Sequence, residues 1–92
     1  MRRYVFLRGR LTDDPDYRAG EGKVVMRVGV RMPDGLAEPV TVVGRGPIPP
    51  YCLSAGLAAG MMVIVCGWAD DRTTSVLADT VAARTSADWG RP

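Results

Sequence analysis

The chain has 92 residues, 47% of them hydrophobic, which allows one small domain near the lower limit for a self-sufficient core. Its formal net charge of +2 at neutral pH is compatible with a nucleic acid partner without being diagnostic of one. The sequence contains no histidine, the commonest general base, and no cluster of Cys, Asp and Glu has metal-ligand spacing. Neither an enzyme nor a metal or cofactor site is therefore expected.

The first predicted strand runs from Tyr4 to Leu11 and alternates in chemical character. Its odd positions are core-like. Its even positions combine aromatic and cationic side chains, namely Tyr4, Phe6, Arg8 and Arg10. A glycine in mid-strand, here Gly9, is typical of a bulge or bend where a sheet curls on itself.

The next segment, residues 12–23, is rich in Asp, Pro and Gly and predicts a loop or a wide hairpin turn. The second strand, residues 24–31, has apolar even positions and carries Arg27 and Arg31 at odd ones. A third, short strand is predicted around residues 40–43.

A single helix is predicted from Tyr51 to Ala59, with Leu53 and Leu57 on one face. The fourth strand, residues 61–69, is apolar on both faces, so we expect the core to cover one face and a partner chain the other. The fifth strand covers residues 74–81 and leads into a polar tail.

The predicted order is three strands, one short helix and two strands. This is the topology of the OB-fold, a five-stranded Greek-key barrel of the all-β class with its helix between strands three and four. We expect an OB-fold domain over residues 1–83 and a flexible C-terminal tail over residues 84–92.

Two further features bear on the location of the protein. Cys52 and Cys66 stand alone in apolar surroundings, which predicts buried free thiols without a disulfide framework. The N-terminus is too short and too charged for a signal peptide, and no run approaches transmembrane length. A cytoplasmic protein with no membrane partner is expected.

The opening stretch carries the most specific motif, Gly9-Arg10-Leu11 followed by Asp14-Pro15-Asp16-Tyr17-Arg18. Further along stand Val42-Val43-Gly44, Leu57-Ala58-Ala59-Gly60 and Val63-Ile64-Val65-Cys66-Gly67. Over residues 4–82 this pattern resembles bacterial single-stranded DNA-binding proteins (SSB). The resemblance implies an OB-fold that binds single-stranded DNA.

Three departures from that family imply weaker binding. Pro39, Val40 and Arg45 stand where the family has base-stacking aromatic residues, and the hairpins are short. We expect no acidic C-terminal tail of the kind that recruits enzymes in the family, since Asp88 is the only acidic residue after Asp79. We therefore expect weak, sequence-nonspecific binding that is driven by charge and sensitive to salt.

The expected nucleic-acid surface is a basic stripe across the first two strands, flanked by an aromatic ring. Its candidate residues are Arg8, Arg10, Arg27, Arg31 and Phe6, extended by Arg18, Lys23 and Arg45. An ordinary solvated sheet face is the alternative, with Arg8 or Arg10 paired to Asp79 or another acid. Whether RNA competes with DNA stays open.

An outward apolar row on the fourth strand predicts a homo-oligomer, either a dimer or a tetramer. The expected interface consists of Tyr4, Met62, Ile64, Cys66 and Trp68. A second functional reading stands beside single-stranded DNA binding. In that reading the chain is an OB-fold protein–protein interaction module, a degenerate SSB paralogue or primosome-type accessory protein, with little DNA binding of its own.

Overall fold

Six strands and one short α-helix make up the part of the chain described by the computed structural model, residues 2–31, 35, 37–70 and 75–84. In chain order the elements are β1 (Arg2–Leu11), β2 (Asp16–Arg18), a 3₁₀ helix (Ala19–Glu21), β3 (Lys23–Arg31), β4 (Ala37–Arg45), α1 (Ile48–Ala55), β5 (Met62–Asp70) and β6 (Ser75–Arg84).

The strands pair in the order β1-β5-β6-β4-β3-β2, and β1 also pairs with β3, which closes the sheet into a barrel. The β4–β6 pair is parallel and the other pairs are antiparallel. Long strands β1, β3 and β4 precede the helix, and β5 and β6 follow it. This order confirms the predicted all-β OB-fold, with β2 as a short additional strand.

The barrel interior is filled by the positions that the strand alternation assigns to the core. Its fully buried side chains come from β1, β3, β4, β5 and α1, namely Leu11, Val24, Met26, Val28, Val42, Cys52, Val63 and Val65. Burial of a large aliphatic side chain stabilises the fold by about 1.5–3 kcal/mol. Side chains on the opposite face of each strand therefore point to solvent and are available for binding.

Strand β1 is shared between two neighbours. It pairs with β5 from Arg2 to Arg10, while only Arg10 and Leu11 also pair with β3. The crossing brings two backbones together at Gly9, where an added Cβ would collide with the carbonyl oxygen of Gly29 and lie 2.8 Å from Val28 Cγ1. The mid-strand glycine is thus required by barrel closure, because no side chain fits between β1 and β3 at this point.

The helix differs from its prediction in both bounds and in its buried face. It begins at Ile48, because prolines fit the first helical turn, and it ends before Gly56, which adopts φ 66°. The predicted face is wrong, since Leu53 is 63% exposed and Leu57 lies beyond the helix. The helix instead buries Ile48 and Cys52.

Other differences concern strand bounds and one cysteine. The predicted loop over residues 12–23 contains β2 and the 3₁₀ helix, and β4 is longer than expected because it pairs with β3 along its whole length. Cys52 is buried as predicted, whereas Cys66 is only half-buried because its side chain lies on the outward face of β5. Residues 85–92 of the predicted tail lie outside the described residues, so the domain division stays a prediction. The same holds for residues 32–34 and 36 of the hairpin predicted over 32–38 and for residues 71–73 of the one predicted over 70–73. Within the described ranges, no helix is long and apolar enough to span a bilayer.

The close approach at Gly9 gives a test of barrel closure. Gly9→Ala should lower the free energy of unfolding by about 1–3 kcal/mol, the usual cost of overpacking, because β1 and β3 must separate to admit the methyl group. Urea denaturation followed by circular dichroism measures the change. Gly20→Ala is the matched control, since an added Cβ there has no heavy atom within 4 Å. Equal destabilisation of the two variants would contradict this account.

Candidate nucleic-acid interface

The outward positions of β3 and β4 form a basic face. Lys23 and Arg45 are cross-strand partners at one end, Arg27 lies opposite Thr41, and Arg31 lies at the other end. The outward positions of these two strands carry no Asp or Glu. With a rise of roughly 3.3 Å per residue, the basic face extends over about 27 Å from Lys23 to Arg31. Its charge is therefore not neutralised within the two strands.

The 3₁₀ helix orients the cations at one end of the basic face. Lys23 Nζ lies 3.3 Å from Glu21 Oε1, and Arg45 Nη1 donates a hydrogen bond of 3.2 Å to the Glu21 carbonyl oxygen. Nearby, Arg18 Nε forms a 3.0 Å salt bridge with Asp16 on the same short strand. The Arg18–Asp16 pair is exposed on both sides and contributes little to stability, so a phosphate can replace the Asp16 carboxylate as the partner of Arg18. The Lys23 side chain is half-buried, and its partner Glu21 is exposed.

The other end of the basic face meets β1 at a surface depression of about 570 Å³. Arg8, Arg10 and Arg31 line it, together with Gly29 and Met62. Arg10 Nη1 donates a hydrogen bond of 3.0 Å to the Gly60 carbonyl oxygen. The structure thus brings together arginines that the sequence predicts to share one stripe.

Three arginines of the predicted stripe have no partner among the residues that the structure describes. Within the described part of the chain, Arg8, Arg27 and Arg31 form no salt bridge and no side-chain hydrogen bond. Asp79, considered as a partner for Arg8 or Arg10, instead accepts a 3.0 Å hydrogen bond from the Tyr4 hydroxyl. The guanidinium groups of these three residues remain available to an anionic ligand.

The outward face of β1 and β5, called here the aromatic face, contains both predicted DNA contacts and predicted oligomer contacts. The cross-strand pairs are Tyr4–Trp68, Phe6–Cys66, Arg8–Ile64 and Arg10–Met62. Phe6 is 66% exposed and Tyr4 53%. The candidate DNA contacts Phe6, Arg8 and Arg10 are therefore direct neighbours of the candidate oligomer contacts.

Tyr4 and Trp68 are held together at one end of the aromatic face. Their ring centroids lie 5.0 Å apart at an interplanar angle of 72°, an edge-to-face arrangement. The hydrogen bond from the Tyr4 hydroxyl to Asp79 is the main cause of a raised pKa for Tyr4. Asp79 thereby fixes the orientation of Tyr4, and Tyr4 in turn supports the indole.

Leu77 is a surface residue that the sequence analysis missed. It lies opposite Trp68 on β6 and is 45% exposed. A register shift between Cys66 and Gly67 moves the β5–β6 pairing by one residue, so strand alternation alone does not place Leu77 beside Trp68. An added Cβ at Gly67 would collide with the Leu77 carbonyl oxygen, which is why a glycine stands at the shift.

The Asp-Pro motif of the opening stretch has a structural role. Asp14 Oδ1 accepts a 2.8 Å hydrogen bond from the Ala59 backbone N–H, which ties the loop after β1 to the segment after α1. Tyr17 packs against the core, and desolvation by burial raises its pKa. Asp14 and Tyr17 therefore help to hold the barrel together.

Comparison with known proteins supports the fold. No protein-family model matches the chain, and no curated protein matches it either. The small single-stranded DNA-binding protein of Streptomyces coelicolor is 22% identical, with a TM-score of 0.77 over 94% of this chain and 96% of that protein. The second SSB of Mycobacterium smegmatis is 22% identical, with a TM-score of 0.70 over 100% and 98%.

The chain has the SSB-like OB-fold. A single-stranded DNA-binding protein of Thermus aquaticus is 26% identical, with a TM-score of 0.65 over 90% of this chain and 41% of that one. The likeness to the two bacterial proteins of similar length includes nearly all of both chains. The SSB-like topology therefore extends from β1 to β6.

The Tyr4–Asp79 hydrogen bond predicts a titration. Asp79→Asn should lower the pKa of Tyr4 toward the ordinary value of about 10, because it removes both the charged acceptor and the nearby negative charge. Residue-resolved NMR of the tyrosine rings between neutral and strongly alkaline pH measures the shift. The raised pKa of Tyr17 has burial as its main cause, so it should stay unchanged and serves as the internal control. A Tyr4 pKa unaltered by the substitution would contradict the assignment.

Proposed function

We propose that this protein binds single-stranded DNA across its basic face, without sequence preference and mainly through charge. The observation that carries the proposal is the outward surface of β3 and β4, with Lys23, Arg27, Arg31 and Arg45 and no acidic residue. The equivalent face of other OB-folds binds oligonucleotides. The neighbouring structures from S. coelicolor and M. smegmatis are named single-stranded DNA-binding proteins, which supports the same function here.

The register of the sheet supports one path for the bound DNA. Arg10 lies opposite Gly29, between Arg27 and Arg31 along β3, so Arg8 and Arg10 extend the basic face onto β1, with Phe6 beside them. Arg18 and Lys23 extend it at the opposite end. A backbone that follows this path contacts cations at intervals along the whole width of the barrel.

Weak affinity is part of the proposal. No aromatic side chain stands at the outward positions of β3 and β4, and stacking contributes about 1–3 kcal/mol per base where it occurs. Contacts to phosphates dominate instead, which makes binding steeply dependent on salt. Such contacts do not read the 2′-hydroxyl, so we expect RNA to compete with DNA.

We further propose a homo-oligomer, a dimer or a tetramer, that assembles through the aromatic face with Tyr4, Met62, Ile64, Cys66 and Trp68. Exposed aromatic rings in a chain this small favour contact with another chain. Strand β1 adds a second reason. Only Arg10 and Leu11 of β1 pair with β3, so within the described residues the rest of that edge has no strand beside it.

One alternative is favoured by a specific observation. Tyr4, Phe6, Trp68 and Leu77 are all more than two-fifths exposed on neighbouring strands. This surface also fits an OB-fold protein–protein interaction module with little DNA binding, acting with itself or with a replication protein. Neither function includes a catalytic step or a cofactor, and the cytoplasmic location stays a prediction.

The basic face gives the decisive binding experiment. Fluorescence anisotropy with labelled oligo-dT, measured at several salt concentrations, should show binding that weakens steeply as salt rises. Arg27→Ala combined with Arg31→Ala should weaken binding and reduce the slope of log affinity against log salt by about 1.4, at roughly 0.7 per phosphate contact for a single strand. Arg3→Ala, a change of charge at the start of β1, is the control. An unchanged slope would show that Arg27 and Arg31 do not contact phosphates. If the wild-type protein does not bind oligo-dT at low salt, the protein–protein interaction module remains as the function.

The aromatic face gives a test of assembly. Ile64→Glu should convert the oligomer to a folded monomer, because the new carboxylate lies opposite Arg8 in the free chain but would be desolvated in an interface. Sedimentation velocity reports the mass, and circular dichroism reports the fold. Leu53→Glu, at an exposed position on α1, should leave the mass unchanged. An oligomer that persists in Ile64→Glu would show that assembly uses another surface.

A further inference from the structure

A groove of about 420 Å³, called here the indole groove, joins the basic face to the aromatic face. It is lined by Lys23, Val43, Arg45, Trp68, Asp70, Ser75, Val76 and Leu77. Its volume lies within the range of about 300–1,000 Å³ that is typical of small-ligand pockets. The family motif Val42-Val43-Gly44 contributes Val43 to this groove, and Trp68 follows the motif that ends at Gly67.

The sheet register defines how the groove is built. Val43 on β4 lies beside Leu77 on β6, and Leu77 lies beside Trp68 on β5. These three side chains form a row across three strands, which places β4 and β5 about 10 Å apart. Arg45 follows Val43 on the same face of β4, next to Lys23. The groove therefore has an apolar floor, a cationic side and an indole on the opposite side.

This combination fits one nucleotide of a single strand. A base is a flat ring that stacks on an indole, and its phosphate pairs with a neighbouring cation. Arg45 uses one of its five N–H donors on the Glu21 carbonyl, and the others stay available to a phosphate. Asp70 is two residues beyond Trp68 on β5 and also lines the groove, so its negative charge favours a phosphate beside Lys23 and Arg45 over a phosphate beside the indole.

Trp68 is available for such a contact. It is 47% exposed, and its edge-to-face packing on Tyr4 restricts the orientation of the ring before any ligand arrives. It also lies at the end of the outward row of β5, beyond Met62, Ile64 and Cys66. An oligomer centred on those three residues leaves Trp68 at its rim, next to the indole groove.

We propose that Trp68 is a base-stacking residue and that the indole groove holds one unstacked nucleotide of a single strand, with its phosphate at Lys23 and Arg45. The proposal rests on the proposed DNA binding and adds a stacking site to it. The stacking that β3 and β4 lack is thus supplied from β5, on the other side of the basic face.

The test uses Trp68 as its own probe. Trp68 and Trp89 are the two tryptophans of the chain, so Trp89→Phe leaves a single indole. Oligo-dT or an abasic DNA strand of the same length is added to the protein at low salt while Trp68 emission is recorded. Fluorescence anisotropy of labelled strands gives the fraction of protein bound, so that the two strands are compared at equal occupancy. We expect oligo-dT to quench Trp68 emission to saturation and the abasic strand to leave it unchanged. Trp68→Ala should weaken the binding of oligo-dT about 5- to 150-fold and leave the binding of the abasic strand unchanged.

Controls and contrary outcomes separate this inference from the proposed function. Trp68→Phe should retain much of the affinity for oligo-dT, and Leu53→Ala, on the exposed side of α1, should retain all of it. If both strands change Trp68 emission equally at the same occupancy, the stacking site is overturned while DNA binding remains. An equal loss of affinity for both strands in Trp68→Ala would overturn it too and leave Trp68 with its proposed oligomer contact alone. No binding of oligo-dT to wild type would remove the proposed function itself.

Discussion

Barrel closure at Gly9 is the constraint on which the other features depend. One strand, β1, must pair with β5 along its length and with β3 at its end, and this is possible only where two backbones approach without a side chain between them. Side chains of one parity on β1, β3, β4 and β5 then face a common apolar interior. Side chains of the opposite parity on these strands are directed outward, so the surface chemistry follows from the closure.

Closure also decides which outward residues become neighbours. The cations of β3 and β4 form one continuous surface, and β1 joins it through Arg10 beside Gly29. On its other side β1 joins the exposed aromatic rings of β5. A surface suited to phosphates and a surface suited to another chain thus meet along a single strand. The proposed binding of DNA near Arg8 and the proposed assembly through Tyr4 and Ile64 are therefore expected to influence each other.

A surface without stacking groups on β3 and β4 would hold a single strand by its charge alone. Charge contacts are long-ranged and tolerant of sequence, but salt weakens them. In the proposed stacking site, the indole on β5 would supply a contact that salt affects much less, because stacking depends on the area of two flat rings. This combination fits the proposed weak binding of single-stranded DNA without sequence preference.

The sequence by itself determined the class of fold and the inward or outward parity of the long strands, because alternation with a period of two is a local property. It also determined that Arg8, Arg10, Arg27 and Arg31 point outward. It misplaced the helix face at Leu53 and missed Leu77, since prolines moved the helix start and a register shift at Gly67 moved the pairing. Only the tertiary structure decided that the basic stripe and the apolar row share an edge, and that Trp68 faces Lys23 and Arg45 across a groove. Those proximities come from pairing between strands distant in the chain, which local alternation does not specify.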